Sequence, residues 1–142
     1  AIKLMLRTHK FATLPGTVLG YGEKTSAQTG ITSEAPVSQL SITINVPEGR
    51  GVKLEAMIPS DSSVSGDSTA AHIKEGSTYI QATRSPITNG FKVLNLSRII
   101  YPTVGVHTYN VTAMRASGTG SVSVFSDIGP NASGRPYIEA II

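Results

Sequence analysis

Three histidines, His9, His72 and His107, are the side chains of this sequence best suited to proton transfer or metal binding, because imidazole titrates near neutral pH and ligates transition metals. A metal pair would need two of them at i,i+2 on a strand or i,i+4 on a helix. No two stand at either spacing. His107 lies on the apolar face of an alternating segment, where a hydrogen-bonded, partly buried imidazole is expected rather than a ligand or a base. The chain has no cysteine, which excludes disulfides, thiolate zinc sites, iron–sulfur clusters and thiol nucleophiles. Asp61 and Asp67 flank a Ser-rich loop. Calcium wants about six to eight oxygens, usually from several carboxylates, so this pair is read as two solvated loop residues.

Gly66-Asp67-Ser68 has the order of a serine-protease nucleophile loop but lacks its following glycines. Asp and Ser capping backbone N–H groups in a turn is the expected role. Gly20-Tyr21-Gly22-Glu23-Lys24-Thr25 resembles a phosphate-binding loop, yet Glu23 interrupts the required Gly-Lys-Thr and no helical pattern follows. Asn95-Leu96-Ser97, Asn110-Val111-Thr112 and Asn131-Ala132-Ser133 match the glycosylation pattern, as chance allows in a chain so rich in Ser, Thr and Asn. Tyr21, Tyr79, Tyr101, Tyr109 and Tyr137 could stack on sugars, but such rings more often bury their bodies and keep the hydroxyl wet. No catalytic set, metal site or cofactor is therefore expected, and the protein is read as non-enzymatic.

The elements that must carry these residues are short strands. Ser and Thr exceed a fifth of the 142 residues, with 14 Gly, 8 Pro and 39% hydrophobic residues. That composition suits strands joined by polar turns around a real core. Leu40, Ile42, Ile44 and Val46 alternate with Ser41, Thr43 and Asn45, which marks a half-buried strand. Pro47–Gly51 turns the chain into Val52–Ile58, which alternates again and is expected to stop at Pro59 as the second half of a hairpin.

Ser60–Ser68 reads as a loop. Strands follow over Thr69–Lys74, with Ala71 and Ile73 inward, and over Thr78–Arg84. Ser85–Gly90 forms a second loop. Further strands are read at Phe91–Leu96, at Val104–Ala113 (His107, Tyr109, Val111 and Ala113 on one face), at Ser121–Phe125 and at Tyr137–Ile142. Eight to ten short strands without a convincing helix predict an all-β fold, an antiparallel, jelly-roll-like β-sandwich.

Residues 1–36 hold few core candidates and are read as an extended N-terminal arm or edge segment. Residues 37–142 are the sandwich body, a single domain overall. Ala1–Phe11 is too short and too charge-interrupted for a secretory leader, and no apolar run approaches the ~20 residues of a membrane span. The net charge of +3 comes from 12 basic and 9 acidic residues. Three bases, Lys3, Arg7 and Lys10, precede the first acid, Glu23, and are the candidate partner-binding residues, facing an acidic surface. Elsewhere charges are scattered singly, without the basic stripe and stacking aromatics of nucleic-acid binding. Neither a nucleic-acid nor a membrane partner is expected.

Ser123-Val124-Phe125-Ser126-Asp127-Ile128-Gly129-Pro130, followed by Arg135-Pro136-Tyr137-Ile138-Glu139, resembles the end of small β-rich virion structural proteins of tailed phages infecting actinobacteria. The alternating strand near residue 40 is similar too, so the resemblance covers about half the chain. It implies a virion protein, assembled in the host cytoplasm, with a jelly-roll-like and often trimeric fold. Such a protein would decorate the capsid, with the major capsid protein or another virion protein as partner. It would otherwise be a minor tail protein or fibre tip that recognises a host glycan or protein. The motif marks a fold, so the resemblance implies no site residues.

Overall fold

The computed structural model describes residues 14–85 and 91–142. Its strands are β1 (Val18–Glu23), β2 (Gln28–Ile31), β3 (Ala35–Val46), β4 (Val52–Ser62), β5 (Ser68–Glu75), β6 (Thr78–Arg84), β7 (Lys92–Ile100), β8 (Gly105–Ser117), β9 (Val122–Val124) and β10 (Tyr137–Ile141). The described residues contain no helix.

β4 organises the first sheet. Val52–Ser60 pairs with β7 along one edge. Along the other edge Lys53–Met57 pairs with β10 and Ser60–Ser62 with β9. β10 and β9 thus lie end to end beside β4, with β1 beyond β10 and β2 beyond β9. The second sheet runs β3-β8-β5-β6, and the pairings are antiparallel. Two four-row sheets packed face to face make the jelly-roll-like sandwich, because each strand must bury one apolar row. Leu40, Ile42, Ile44 and Val46 of β3 share one core with Val52, Leu54, Ala56 and Ile58 of β4, Ala71 and Ile73 of β5, and Tyr109, Val111 and Ala113 of β8. Val122, Val124, Ile138 and Ala140 complete it.

Two expectations need correction. β3 and β4 are not a hairpin: β3 pairs with β8 in one sheet and β4 with β10, β9 and β7 in the other. The Pro47–Gly51 turn carries the chain between sheets, a distinction that alternation alone does not encode. Nor does Pro59 end its strand. It falls in the gap between β10 and β9, where β4 needs no donor on that side, and its carbonyl accepts the Phe125 N–H at 2.9 Å. On β7, Leu94 and Leu96 are buried, so Phe91, Val93 and Asn95 share the solvent face.

Residues 18–31, read from the sequence as arm or edge, form β1 and β2, the outer rows of the first sheet. Glycine lets β1 lie against β3, since a Cβ on Gly20 would stand 2.7 Å from Ile44 Cγ2. Between Pro36 and Ser41, five steps along β3 oppose two along β8. This bulge carries Gln39 at φ 71°, and its side-chain Oε1 accepts the Thr25 N–H at 2.9 Å. Asp67 ties the β4–β5 loop to the β8–β9 turn. Its carboxylate accepts Gly120 N–H at 2.7 Å, Thr119 N–H at 3.2 Å and the Ser62 hydroxyl at 2.9 Å.

Candidate functional site

The outer face of the second sheet gathers polar side chains and an open depression. Because Ala71 and Ile73 point into the core, their neighbours Ala70, His72 and Lys74 occupy the opposite face of β5. The register sets two rungs across β8, β5 and β6. Met114, Ala70 and Arg84 form one, and Thr112, His72 and Ala82 the other. Together with Thr83 and Ala116 these residues, apart from Thr112, line a depression of about 410 Å³, within the roughly 300–1,000 Å³ of small-ligand sites.

Glu34, just ahead of β3, reaches over the far end of this face. Its Oε1 accepts the Tyr79 hydroxyl at 2.6 Å and Lys74 Nζ at 3.4 Å, and its Oε2 accepts the Thr112 hydroxyl at 2.8 Å. The Tyr79 hydroxyl bond chiefly, with Thr112, Lys74 and His72, outweighs burial and holds the Glu34 carboxyl below its usual pKa. The same bond raises the Tyr79 phenol. Burial lowers the pKa of His72 despite Glu34 nearby, so the neutral ring is favoured at pH 7. Its Nδ1 lies 3.1 Å from Thr112 Oγ1 and 3.3 Å from Glu34 Oε2. Thr112 already donates to Glu34, so Nδ1 carries the proton and Nε2 keeps its lone pair. Tyr79 packs edge-on to His72 at 5.0 Å and takes Lys74 Nζ over its ring at 4.4 Å.

His107 sits elsewhere, stacked on Tyr109 with ring centroids 6.1 Å apart. Both its nitrogens face acceptors: Nδ1 lies 2.6 Å from Glu75 Oε2 and Nε2 lies 2.8 Å from the Thr103 carbonyl. That geometry suits the doubly protonated ring, and Glu75 first, then Thr103, raise its pKa above the ordinary 6.5. A raised folded-state pKa means a stability contribution that is complete below about pH 6.5 and is lost as pH rises through the folded value. NMR titration should therefore find His107 titrating above His72, and Glu75→Gln should bring His107 back toward 6.5. An unmoved His107 would refute the pairing.

The other sequence candidates do not converge. Asp61 accepts the N–H of its neighbour Ser62 at 2.7 Å, whereas Asp67, expected to be solvated, is buried, because its carboxylate is taken up by the turn already described. Ser68 meets the Ser117 hydroxyl at 2.8 Å and Arg84 Nε at 3.2 Å, not a histidine. Among the described residues no group of three His, Asp or Glu could hold a metal. Lys24 is buried, with its ammonium on Ser38 Oγ at 2.5 Å, and burial lowers its pKa. Tyr21 stacks on Tyr137 at 6.0 Å, and Tyr101 stands 82% exposed. Asn95 is exposed on β7, Asn110 lies within β8, and Asn131 is exposed beyond β9. His9, Lys3, Arg7, Lys10 and residues 86–90 of the second loop lie outside the described residues. Sequence reasoning missed Glu34, Lys74, Thr112 and Arg84. Only the register of β8, β5 and β6 brings the last three onto one face, and no local motif announces it.

The architecture defines a class, the jelly-roll-like β-sandwich, and a solved structure with a TM-score above 0.5 shares that fold. The chain is similar to the Eiger TNF of S. frugiperda at a TM-score of 0.51 and 10% identity, covering 90% of this chain and 92% of that one. A structure of infectious bursal disease virus, Gx strain, is similar at 0.47 and 14% identity, covering 91% of this chain and 36% of that one. The C-terminal CBM6 of LamC from Zobellia galactanivorans follows at 0.39 and 11% identity, covering 89% and 100%. At such identities the likeness concerns the fold alone. No family model matches the chain, and no curated protein does.

Proposed function

We propose that this chain is a non-enzymatic structural protein of a virion surface, a capsid decoration protein that binds the shell of major capsid protein and stabilises it as a homotrimer. The observation that carries this reading is an apolar strip of chain where β7 passes into β8. Ile99, Tyr101, Val104 and Val106 are 59%, 82%, 62% and 71% exposed. Single exposed apolar residues are ordinary, but four large ones within eight residues of chain mark an interaction surface, and Tyr is a frequent anchor in such surfaces. The strip is the subunit contact. Lys3, Arg7 and Lys10 meet the shell. The resemblance of residues 123–139 to phage virion proteins supplies the particle.

Tyr101→Glu combined with Val106→Glu should shift the protein from trimer to monomer in light scattering while its circular dichroism stays unchanged. A trimer that persists would sink the strip as the contact. Removing residues 1–13, which spares β1, should abolish binding to shells lacking the protein. Immunogold labelling of particles tests placement. Label over heads fits decoration, and unlabelled particles overturn the virion reading. Label at tail tips would favour the second reading, a minor tail or receptor-binding protein. The depression on the second sheet is the observation that favours that reading.

A further inference from the structure

We infer that the depression on the second sheet binds one carboxylated sugar residue, with its carboxylate on the Arg84 guanidinium, a ring hydroxyl on His72 Nε2 and its C–H face on Ala70, Ala82 and Ala116. Alanine is depleted in strands, where longer or β-branched side chains cover the surface. Here three alanines from three adjacent strands leave a floor with nothing above Cβ, walled by Met114, His72 and Arg84.

The polar groups are complementary to such a ligand. Arg84 donates through Nε to Ser68 Oγ at 3.2 Å, which orients the guanidinium and leaves its two terminal amino groups for a planar anion. None of the ion pairs among the described residues includes Arg84. At the other end Nδ1 of His72 is committed to Thr112 and Glu34, so Nε2 offers an acceptor to a hydroxyl. Arg84 lies opposite Ala70, two residues from His72 on β5. Strand spacing and rise put the two about 8 Å apart at Cα, and the Arg84 side chain extends toward Ser68, away from His72, so the ligand presents its carboxylate and a hydroxyl at opposite ends of the ring. A plain carboxylate would leave His72 unused, and a neutral sugar would leave Arg84 unused. Glu34 repels an anion from the His72 end and so sets the polarity of binding.

The test is independent of where on a particle the protein sits. Uniformly labelled protein is titrated with methyl β-D-glucuronide, methyl β-D-glucoside and acetate, and amide shifts are followed by NMR. The glucuronide should move resonances of residues 70, 72, 82, 84, 114 and 116 and bind about tenfold tighter than either control, the margin of a charge-assisted bond. Arg84→Gln should erase the preference over the glucoside. Ala82→Leu, at an exposed edge-strand position, should abolish both sugars with unchanged thermal unfolding. Absent shifts, equal affinity for glucoside or acetate, or undiminished binding by Ala82→Leu would each overturn the inference. Should Ala82→Leu fail to fold, the Arg84→Gln comparison decides alone.

Discussion

Replacing Gly118 by alanine is expected to lower unfolding free energy by about 3 kcal/mol and the melting temperature by roughly 10 °C. Gly118 has φ +104°, and a Cβ built there would stand 1.5 Å from Asp67 Oδ1 and 2.1 Å from its carboxyl carbon. Asp67 has no room to give way without releasing its bonds. It is 2% exposed and holds two backbone N–H groups and a hydroxyl. Burial works against its charge, but Gly120, Ser62 and Thr119 win and keep its pKa below the usual 3.8. Its stabilising contribution is therefore present above that value and is lost as pH falls through the folded pKa.

Gly49→Ala is the control. Its φ is +70°, yet no described residue stands within 4 Å of the added carbon, so only the left-handed backbone cost of about 1 kcal/mol applies. Equal losses in the two variants would refute a clash at Asp67. A larger loss at Gly118 would make the carboxylate the latch between the β4–β5 loop and the β8–β9 turn.

Tyr109 yields the second large effect. It is fully buried, and its hydroxyl has no hydrogen-bond partner among the described residues. Burial first, and Glu75 second, push its pKa up to about 12, so the phenol stays neutral through the physiological range. Tyr109→Ala should cost about 3–5 kcal/mol, the usual loss for truncating a buried aromatic, since it removes the ring and leaves a cavity between the sheets. Tyr109→Phe removes only an unsatisfied polar atom and should be neutral or stabilising. Denaturant unfolding with linear extrapolation measures both. A loss above about 1 kcal/mol for the phenylalanine variant would mean that the hydroxyl has a partner after all.

Read from the residues alone, the sequence already contained the inner faces. Leu40, Ile42, Ile44 and Val46, then Ala71 and Ile73, then Tyr109, Val111 and Ala113, then Val122 and Val124 are buried as their alternation predicts. Period-2 patterning is a local property, because successive side chains of a strand point to opposite faces wherever its partners lie. The same reasoning explains the failures. Alternation says which face is buried but not which strand lies alongside, so β3 and β4 looked like a hairpin. A proline reads as a stop unless the neighbouring ladder has a gap for it, as β10 and β9 leave for Pro59.

What the sequence determined by itself is an all-β chain with a known inward row on most strands and without cysteine chemistry. What the tertiary structure decided is which rows share a sheet and which side chains meet on its surface. Glu34 and Thr112 are 78 residues apart and 2.8 Å from contact to contact. Arg84 and Ser68 meet only because Ala70 and Arg84 pair. Register is a non-local choice, made by the packing of whole sheets against each other. A site built on register therefore leaves no motif in the sequence that encodes it.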